Sequence, residues 1–331
     1  MPPRKILIDC DPGVDDALAL LLALSAPEAE VLAVTTVAGN GPVDICTRNA
    51  LRVLEVVRPE GAPSVHEGAS TPISGVEVER GLHIHGKDGL GNLDPRRYPD
   101  PPGGPVPPAA PQAIVQWARR HAGELTLVAT GPLTNLAAAV RADREAMRLF
   151  REIVVMGGAV RVPGNVTPAA EFNVWSDPEA LEALLSEGLP LVLVPLDVTQ
   201  RVVLAKRHLE RLPPDDPRTR LIRDCTRGYM EFHKKAKGIE GCLLHDPLAL
   251  GVALDHSFVR MEEVHLQVVT GTGADRGRTR EADRGGVGGP GGFRFRLPQR
   301  AQISILPSVS RSPRDDPVFE IPSNKPTPNL Q

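Results

Sequence analysis

The stretch Lys5-Ile6-Leu7-Ile8-Asp9-Cys10-Asp11-Pro12-Gly13-Val14-Asp15-Asp16 runs from an apolar segment through an acidic turn into the helical pattern Ala17-Leu18-Ala19-Leu20. A short apolar run closed by Asp, Pro and Gly reads as a buried strand, and a helix directly after it makes a strand-to-helix unit of a parallel sheet. No other segment constrains the fold as tightly, because this one sets Asp9, Asp11, Asp15 and Asp16 near the carboxyl end of a single strand. Carboxylates crowded there bind a hard cation, share protons, or repel one another at a cost in stability. A helix cap or a favourable dipole would use only one of them. Four are more than a cap needs and point to a divalent metal site, to which Asp11 and Asp16 could donate several oxygens.

The alternation continues along the chain. Apolar strand-like runs at 6–9, 31–37, 126–129, 153–156 and 191–194 are interleaved with helical patterns from 15, over 43–56 and over 133–140. This predicts an α/β fold with a mostly parallel central sheet flanked by helices. Ligands of open parallel sheets sit beyond the carboxyl ends of strands, where Asp11, Asn40, Thr130, Gly157, Gly158 and Asp197 fall. A chain of 331 residues with 41% hydrophobic content buries a core large enough for one big domain. The segment 99–111 reads as a Pro- and Gly-rich surface connection after a glycine-rich loop at 85–92, and 215–237 reads as a helix. Periodicity stops near Val269. Gly, Pro and Arg supply 26 of the 61 residues from 271 to 331, so a domain over 1–279 and an irregular, disordered tail over 280–331 are expected.

A net charge of −3 and a pI near 6.3 leave no basic stripe to displace counterions from a phosphate backbone, which argues against nucleic acid and anionic membranes and for small-molecule chemistry. Cys10, Cys46, Cys225 and Cys242 show no CxxC spacing, and the first residues lead straight into a strand, as in a protein of the reducing cytoplasm. The longest apolar runs, such as 17–24, fall far short of the ~20 residues a membrane helix needs.

Other motifs carry both a structural and a chemical reading. In His245-Asp246-Pro247, Asp246 caps an apolar helix whose first turn suits Pro247; alternatively Asp246 completes the metal shell and His245 supplies a proton to the same cavity. Gly164-Asn165 followed by Glu171-Phe172-Asn173 and Asp177-Pro178 reads either as a loop before a capped helix or as amides and a carboxylate suited to vicinal sugar hydroxyls. Gly39-Asn40 and Thr130 to Asn135 fit turn chemistry, although Asn40 is also placed to meet a ligand. The loop carrying His83, His85, Asp88 and Asn92 is either a flexible surface loop or a lid.

In this order, the motifs DxDPGxDDA, AGN, HGxDGLG, TGPLTN, MGG, AEFN and HDPLA resemble those of the inosine–uridine-preferring nucleoside hydrolases, over about residues 4–279. The resemblance implies a Rossmann-like nucleoside hydrolase fold and an enzyme that splits the N-glycosidic bond of a free ribonucleoside with water, giving ribose and base in purine or pyrimidine salvage. It implies a calcium ion held by Asp11, Asp16, Asp246 and the main-chain carbonyl of Thr130. Asp15, Asn40, Asn165, Glu171 and Asn173 would hold the ribose hydroxyls, and Asp11 would also be general base towards a metal-bound water. His245 would face the base, the His85 loop would close over it, and the family's habit implies a homodimer or homotetramer. Base preference rests on loops and on the helix carrying Tyr229, Phe232 and His233, and is left open.

Two alternatives remain at this point. The run Ile6-Leu7-Ile8-Asp9-Cys10-Asp11 also opens haloacid-dehalogenase-like phosphotransferases, with Asp9 as nucleophile, and a catalytically silent calcium- or ribose-binding relative would carry the same polar residues. The sequence departs from the family after Arg276-Gly277-Arg278-Thr279, where an acidic apolar stretch, a strand and a closing helix are expected. A reading-frame change near residue 280, or an appended disordered tail, would account for this.

Overall fold

The computed structural model describes residues 2–75 and 80–282, and the backbone of 293–301. The parallel strands are β1 (Arg4–Cys10), β2 (Ala29–Thr36), β3 (Ser64–Glu67), β4 (Thr126–Ala129), β5 (Glu152–Met156) and β6 (Leu191–Val194). A separate antiparallel pair joins β7 (Val203–Leu204) to β8 (Cys242–Leu243), and the chain continues into β9 (Val259–Val268), β10 (Thr279–Glu281) and β11 (Phe293–Ala301). The main sheet has the order β10-β9-β11-β6-β5-β4-β1-β2-β3. β1 pairs in parallel with both β2 and β4, so the progression of strands reverses between β1 and β4. Crevices at such a reversal are where parallel α/β sheets bind ligands.

Continuous apolar character in β1 follows from burial on both faces. Ile6, Ile8 and Cys10 belong to one core, with Leu20 of helix Val14–Ser25 and Leu248 of helix His245–Leu254. Leu7 belongs to the other, with Ile114, Leu136 and Leu181 of helices Ala110–Arg120, Thr134–Ala142 and Pro178–Leu185. Helix His245–Leu254 packs directly on helix Val14–Ser25. That contact brings a late segment of the chain against the first acidic turn.

The end of the chain differs from the sequence expectation. Instead of lacking regular structure after 279, it contributes β10 and β11; β11 lies between β6 and β9, parallel to the first and antiparallel to the second. The alternation Phe293-Arg294-Phe295-Arg296-Leu297 has the period of a strand, but neighbouring Gly, Pro and Arg hid it in a compositional reading. The rest of the expected tail, 283–292 and 302–331, lies outside the described residues. Among the described residues no helix is long and apolar enough to cross a membrane.

Candidate active site

The carboxyl end of β1 delivers Asp9 and Asp11, and helix Val14–Ser25 starts at once with Asp15 and Asp16 in its first turn. Asp16 serves as part of the helix start, its Oδ2 accepting the Gly13 N–H at 3.0 Å. The same oxygen accepts from Asn40 Nδ2 at 3.2 Å, and Oδ1 accepts from the Thr130 hydroxyl at 2.8 Å. Asp11 Oδ2 accepts the Asn40 N–H at 2.6 Å. Asp11 Oδ1 and Asp15 Oδ1 are buried and find no hydrogen-bond donor among the described residues. Gly39 and Gly131 are close-approach positions, since a Cβ on either would lie 2.0 Å from Asp11 Oδ2 or 2.8 Å from Asp11 Oδ1.

Asp246, in the first turn of its helix, completes the cluster. Asp15, Asp16 and Asp246 each offer an oxygen, and these atoms all lie within 4.8 Å of one another. Burial first, and then neighbouring negative charge, pushes the Asp11 and Asp246 carboxyls well above the usual carboxylate range. Burial likewise pushes Asp15 and Asp16 up to about 6, with the Asp15 charge adding to the rise at Asp16. Buried carboxylates with unpaired oxygens, all hard donors, suit a hard divalent cation that supplies the missing positive charge. The residues present therefore fit a metal ion. The compact oxygen trio includes Asp15, which the sequence reading gives to the sugar, in place of Asp11; Asp11 borders the trio and raises Asp246 through its charge.

The remaining floor is built by β4, β5 and the segment after β5. The Thr130 carbonyl accepts from Asn173 Nδ2 at 2.6 Å. Glu171 caps the short helix Phe172–Ser176, its carboxylate accepting the N–H groups of Asn173 at 2.9 Å, Val174 at 3.1 Å and Gly158 at 2.9 Å. Asn40, Glu171 and Asn173 are all buried here. Asn165 is not gathered with them: it is exposed, and its Oδ1 accepts the Phe172 N–H at 2.9 Å. A carboxamide that close in sequence to a helix start readily serves backbone instead of ligand.

Opposite the carboxylates lies a roof of rings. His85, in the short helix Leu82–His85, accepts the Val14 N–H on Nδ1 at 3.1 Å and lies 3.9 Å from Asp15 Oδ1. Its ring stacks on Tyr229 at 5.2 Å between centroids, and Tyr229 in turn meets His233 edge-on at 4.5 Å. The Tyr229 hydroxyl donates to Asp15 Oδ2 at 3.3 Å, joining roof to floor. The loop after His85 is wound about Asp88, which accepts the N–H groups of Leu90, Asn92 and Leu93. Positive φ angles at Gly86, Gly89 and Gly91 permit that winding. His245 Nδ1 bonds to Thr199 Oγ1 at 2.7 Å. Burial pulls His85 down to about 4 and His245 down to about 3, so both imidazoles are neutral near pH 7. The His245 that the sequence reading offers as a proton source is thus a buried, neutral ring on Thr199.

Tyr229 was visible in the sequence only as a residue of unknown orientation, Asn135 only as the end of a turn motif, and Thr199 gave no signal of its own. Asp9, the nucleophile of the phosphotransferase reading, is fully buried with Oδ1 holding Thr35 and Asn135.

The profile of the inosine-uridine preferring nucleoside hydrolase family matches residues 6–309. The chain belongs to this family. Uridine nucleosidase 1 of Arabidopsis thaliana is 37% identical over 247 residues, 74% of this chain and 72% of the relative. The pyrimidine-specific ribonucleoside hydrolase RihA of Salmonella schwarzengrund is 39% identical over 247 residues, covering 74% and 78%. Among solved structures, a plant nucleoside hydrolase superposes with a TM-score of 0.84 at 34% identity, covering 90% of this chain and 94% of its own. A purine-preferring ribonucleoside hydrolase from Gardnerella vaginalis gives 0.80 at 31% identity, with the same coverages. Membership makes this nucleoside hydrolase an enzyme of N-glycosyl bonds and sets the phosphotransferase reading aside. The family match runs past residue 279, where the motif resemblance ends.

Proposed function

We propose that this nucleoside hydrolase cleaves ribonucleosides to ribose and free base with calcium as its ion. The observation that carries the reading is the meeting of Asp15 and Asp16 with Asp246, from distant parts of the chain, beside an unpartnered Asp11 Oδ1 at the sheet's reversal point. Asp11, Asp16, Asp246 and the Thr130 carbonyl would hold the ion, with Asp15 either among them or on the ribose. Calcium takes ~6–8 oxygen ligands, and once bound it supplies a fixed positive charge that orients the attacking water and the sugar hydroxyls.

Asp11 takes the proton of that water. Its Oδ2 is steadied by the Asn40 N–H, while its Oδ1 has no hydrogen-bond donor among the described residues and would be the oxygen that accepts the proton. Asn40, Asn165, Glu171 and Asn173 hold ribose hydroxyls; Asn165 would have to release the Phe172 N–H to do so. As the C–N bond lengthens the sugar becomes oxocarbenium-like, and the acidic floor stabilises the positive charge. The departing base gains negative charge. With the Thr199 hydroxyl donating to Nδ1, the neutral His245 ring carries its proton on Nε2 and donates it to the base, and His85 closes over the base and shuts out water.

The test is to incubate the purified protein with inosine, uridine, cytidine and adenosine, with calcium or with chelator, and to measure released reducing sugar. Calcium-dependent release from at least one nucleoside is expected, and the panel also decides between bases. Calcium-dependent ribose binding without release would instead favour the silent relative.

A further inference from the structure

Asp9 lies outside the chemistry proposed above, yet it is fully buried directly below it. Its main-chain carbonyl accepts the Thr130 N–H at 2.8 Å. Its side-chain Oδ1 accepts from Asn135 Nδ2 at 2.8 Å and from the Thr35 hydroxyl at 2.5 Å. One residue therefore grips both ends of the turn 130–135. The Asn135 carboxamide extends the grip, donating also to the Thr36 carbonyl at 2.9 Å and accepting the Ala69 N–H at 2.9 Å. It has little room to shift, since a Cβ on Gly68 would lie 2.3 Å from its Oδ1.

The clamped turn carries the Thr130 hydroxyl on Asp16 and the Thr130 carbonyl, and it presses Gly131 against Asp11 Oδ1. We infer that Asp9 is a positioning residue, which acts through Asn135 to hold the oxygens of Thr130 in register with the ion site. This rests on the reading of Thr130 and the carboxylates as metal ligands. A purely structural polar contact explains less. Asp9 Oδ2 is buried with no donor among the described residues, an arrangement that costs stability and is hard to account for by folding alone. Groups that orient metal ligands from behind typically change metal affinity about 10- to 100-fold when removed.

The experiment compares wild type with Asp9→Asn, Asp9→Ala and Asn135→Ala, using calcium titration of the metal-free protein by calorimetry and amide hydrogen exchange over 130–135. Asn135→Ala is expected to bind calcium about 10- to 100-fold more weakly and to exchange faster across the turn; Asp9→Ala, if it folds, matches it. Asp9→Asn keeps an oxygen acceptor and should stay near wild type. The double variant Asp9→Ala/Asn135→Ala should be no weaker than either single one, as for two ends of one strut. Wild-type calcium affinity in a folded Asn135→Ala overturns the inference. Should wild type itself bind no calcium, the proposed function fails, and exchange still judges the clamp: unchanged protection of 130–135 in Asn135→Ala removes it too.

Discussion

The floor and the roof of the site are held in different ways. The floor is set by strand ends and a helix start, and its carboxylates accept from main-chain N–H groups of Gly13, Asn40, Gly158, Asn173 and Val174. The roof is set by side chains on three helices, held by ring contacts and by single bonds such as His245 to Thr199 and His85 to Val14. Backbone donors on rigid elements fix an oxygen to within a fraction of an ångström, as ion coordination demands. Stacked rings allow a base of variable shape to be covered without fixing its outline. The contrast separates bond cleavage from base choice: floor changes should act on every nucleoside alike, and roof changes should act unequally.

Asp11→Asn probes the floor most severely. The amide keeps the Asn40 contact but cannot take a proton, so kcat is expected to fall roughly 10²- to 10⁴-fold for inosine and uridine equally, with an unchanged circular-dichroism spectrum. Turnover at the wild-type rate would remove Asp11 as base. His245→Ala probes the roof next. Losing a hydrogen bond to a developing charge costs about 1.5–3 kcal/mol, which is roughly 10- to 100-fold in kcat, and the loss should differ between purine and pyrimidine nucleosides. An equal loss for both would break the division between the two halves.

The two halves also oppose each other in pH dependence. Asp15, raised to about 6, contributes stability that is present below its unfolded value near 4 and is lost as pH rises through 6. His85 and His245, lowered to about 4 and about 3, contribute stability that is present above their unfolded value near 6.5 and is lost as pH falls through those values. In chelator at pH 7, Asp15→Asn is therefore expected to raise unfolding stability by on the order of 2–3 kcal/mol, a gain that disappears near pH 4. Saturating calcium should reverse the sign, because the ion favours the charged carboxylate. Urea unfolding at the two pH values, with and without calcium, measures both.

The same contrast explains what could be read in advance. An apolar run ending in Asp9 and Asp11 with Asp15 and Asp16 behind it shows its strand, its helix and its acidic chemistry together, because each is local. Asp246 was legible as a partner only through the incompleteness of that cluster; the packing of its helix on Val14–Ser25 is a tertiary fact. In the roof, His85 and His245 were legible through their motifs but Tyr229 was not, since its direction from a long helix depends on how Pro217–Lys237 lies across the site. Asn165 was ambiguous for a related reason: a loop carboxamide meets sugar or backbone with equal ease, and here its Oδ1 accepts the Phe172 N–H. At the end of the chain, composition overrode the period-2 signal of 293–297, and β11 went unseen.

Thr199→Val gives the finest separation of the two halves. Valine keeps the shape of the side chain but withdraws the hydroxyl from His245 Nδ1, leaving the ring without the partner that fixes its orientation and tautomer. One hydrogen bond between neutral groups is worth about 1 kcal/mol, or roughly fivefold. A fall in kcat of that size is expected, smaller than for His245→Ala, with calcium affinity unchanged and with Thr199→Ser restoring the wild-type rate. Combining Thr199→Val with His245→Ala should add nothing further, because the hydroxyl acts only through the imidazole. A matching drop in calcium affinity would mean instead that Thr199 steadies the first turn of helix His245–Leu254 and thereby Asp246, making roof and floor one unit at this point.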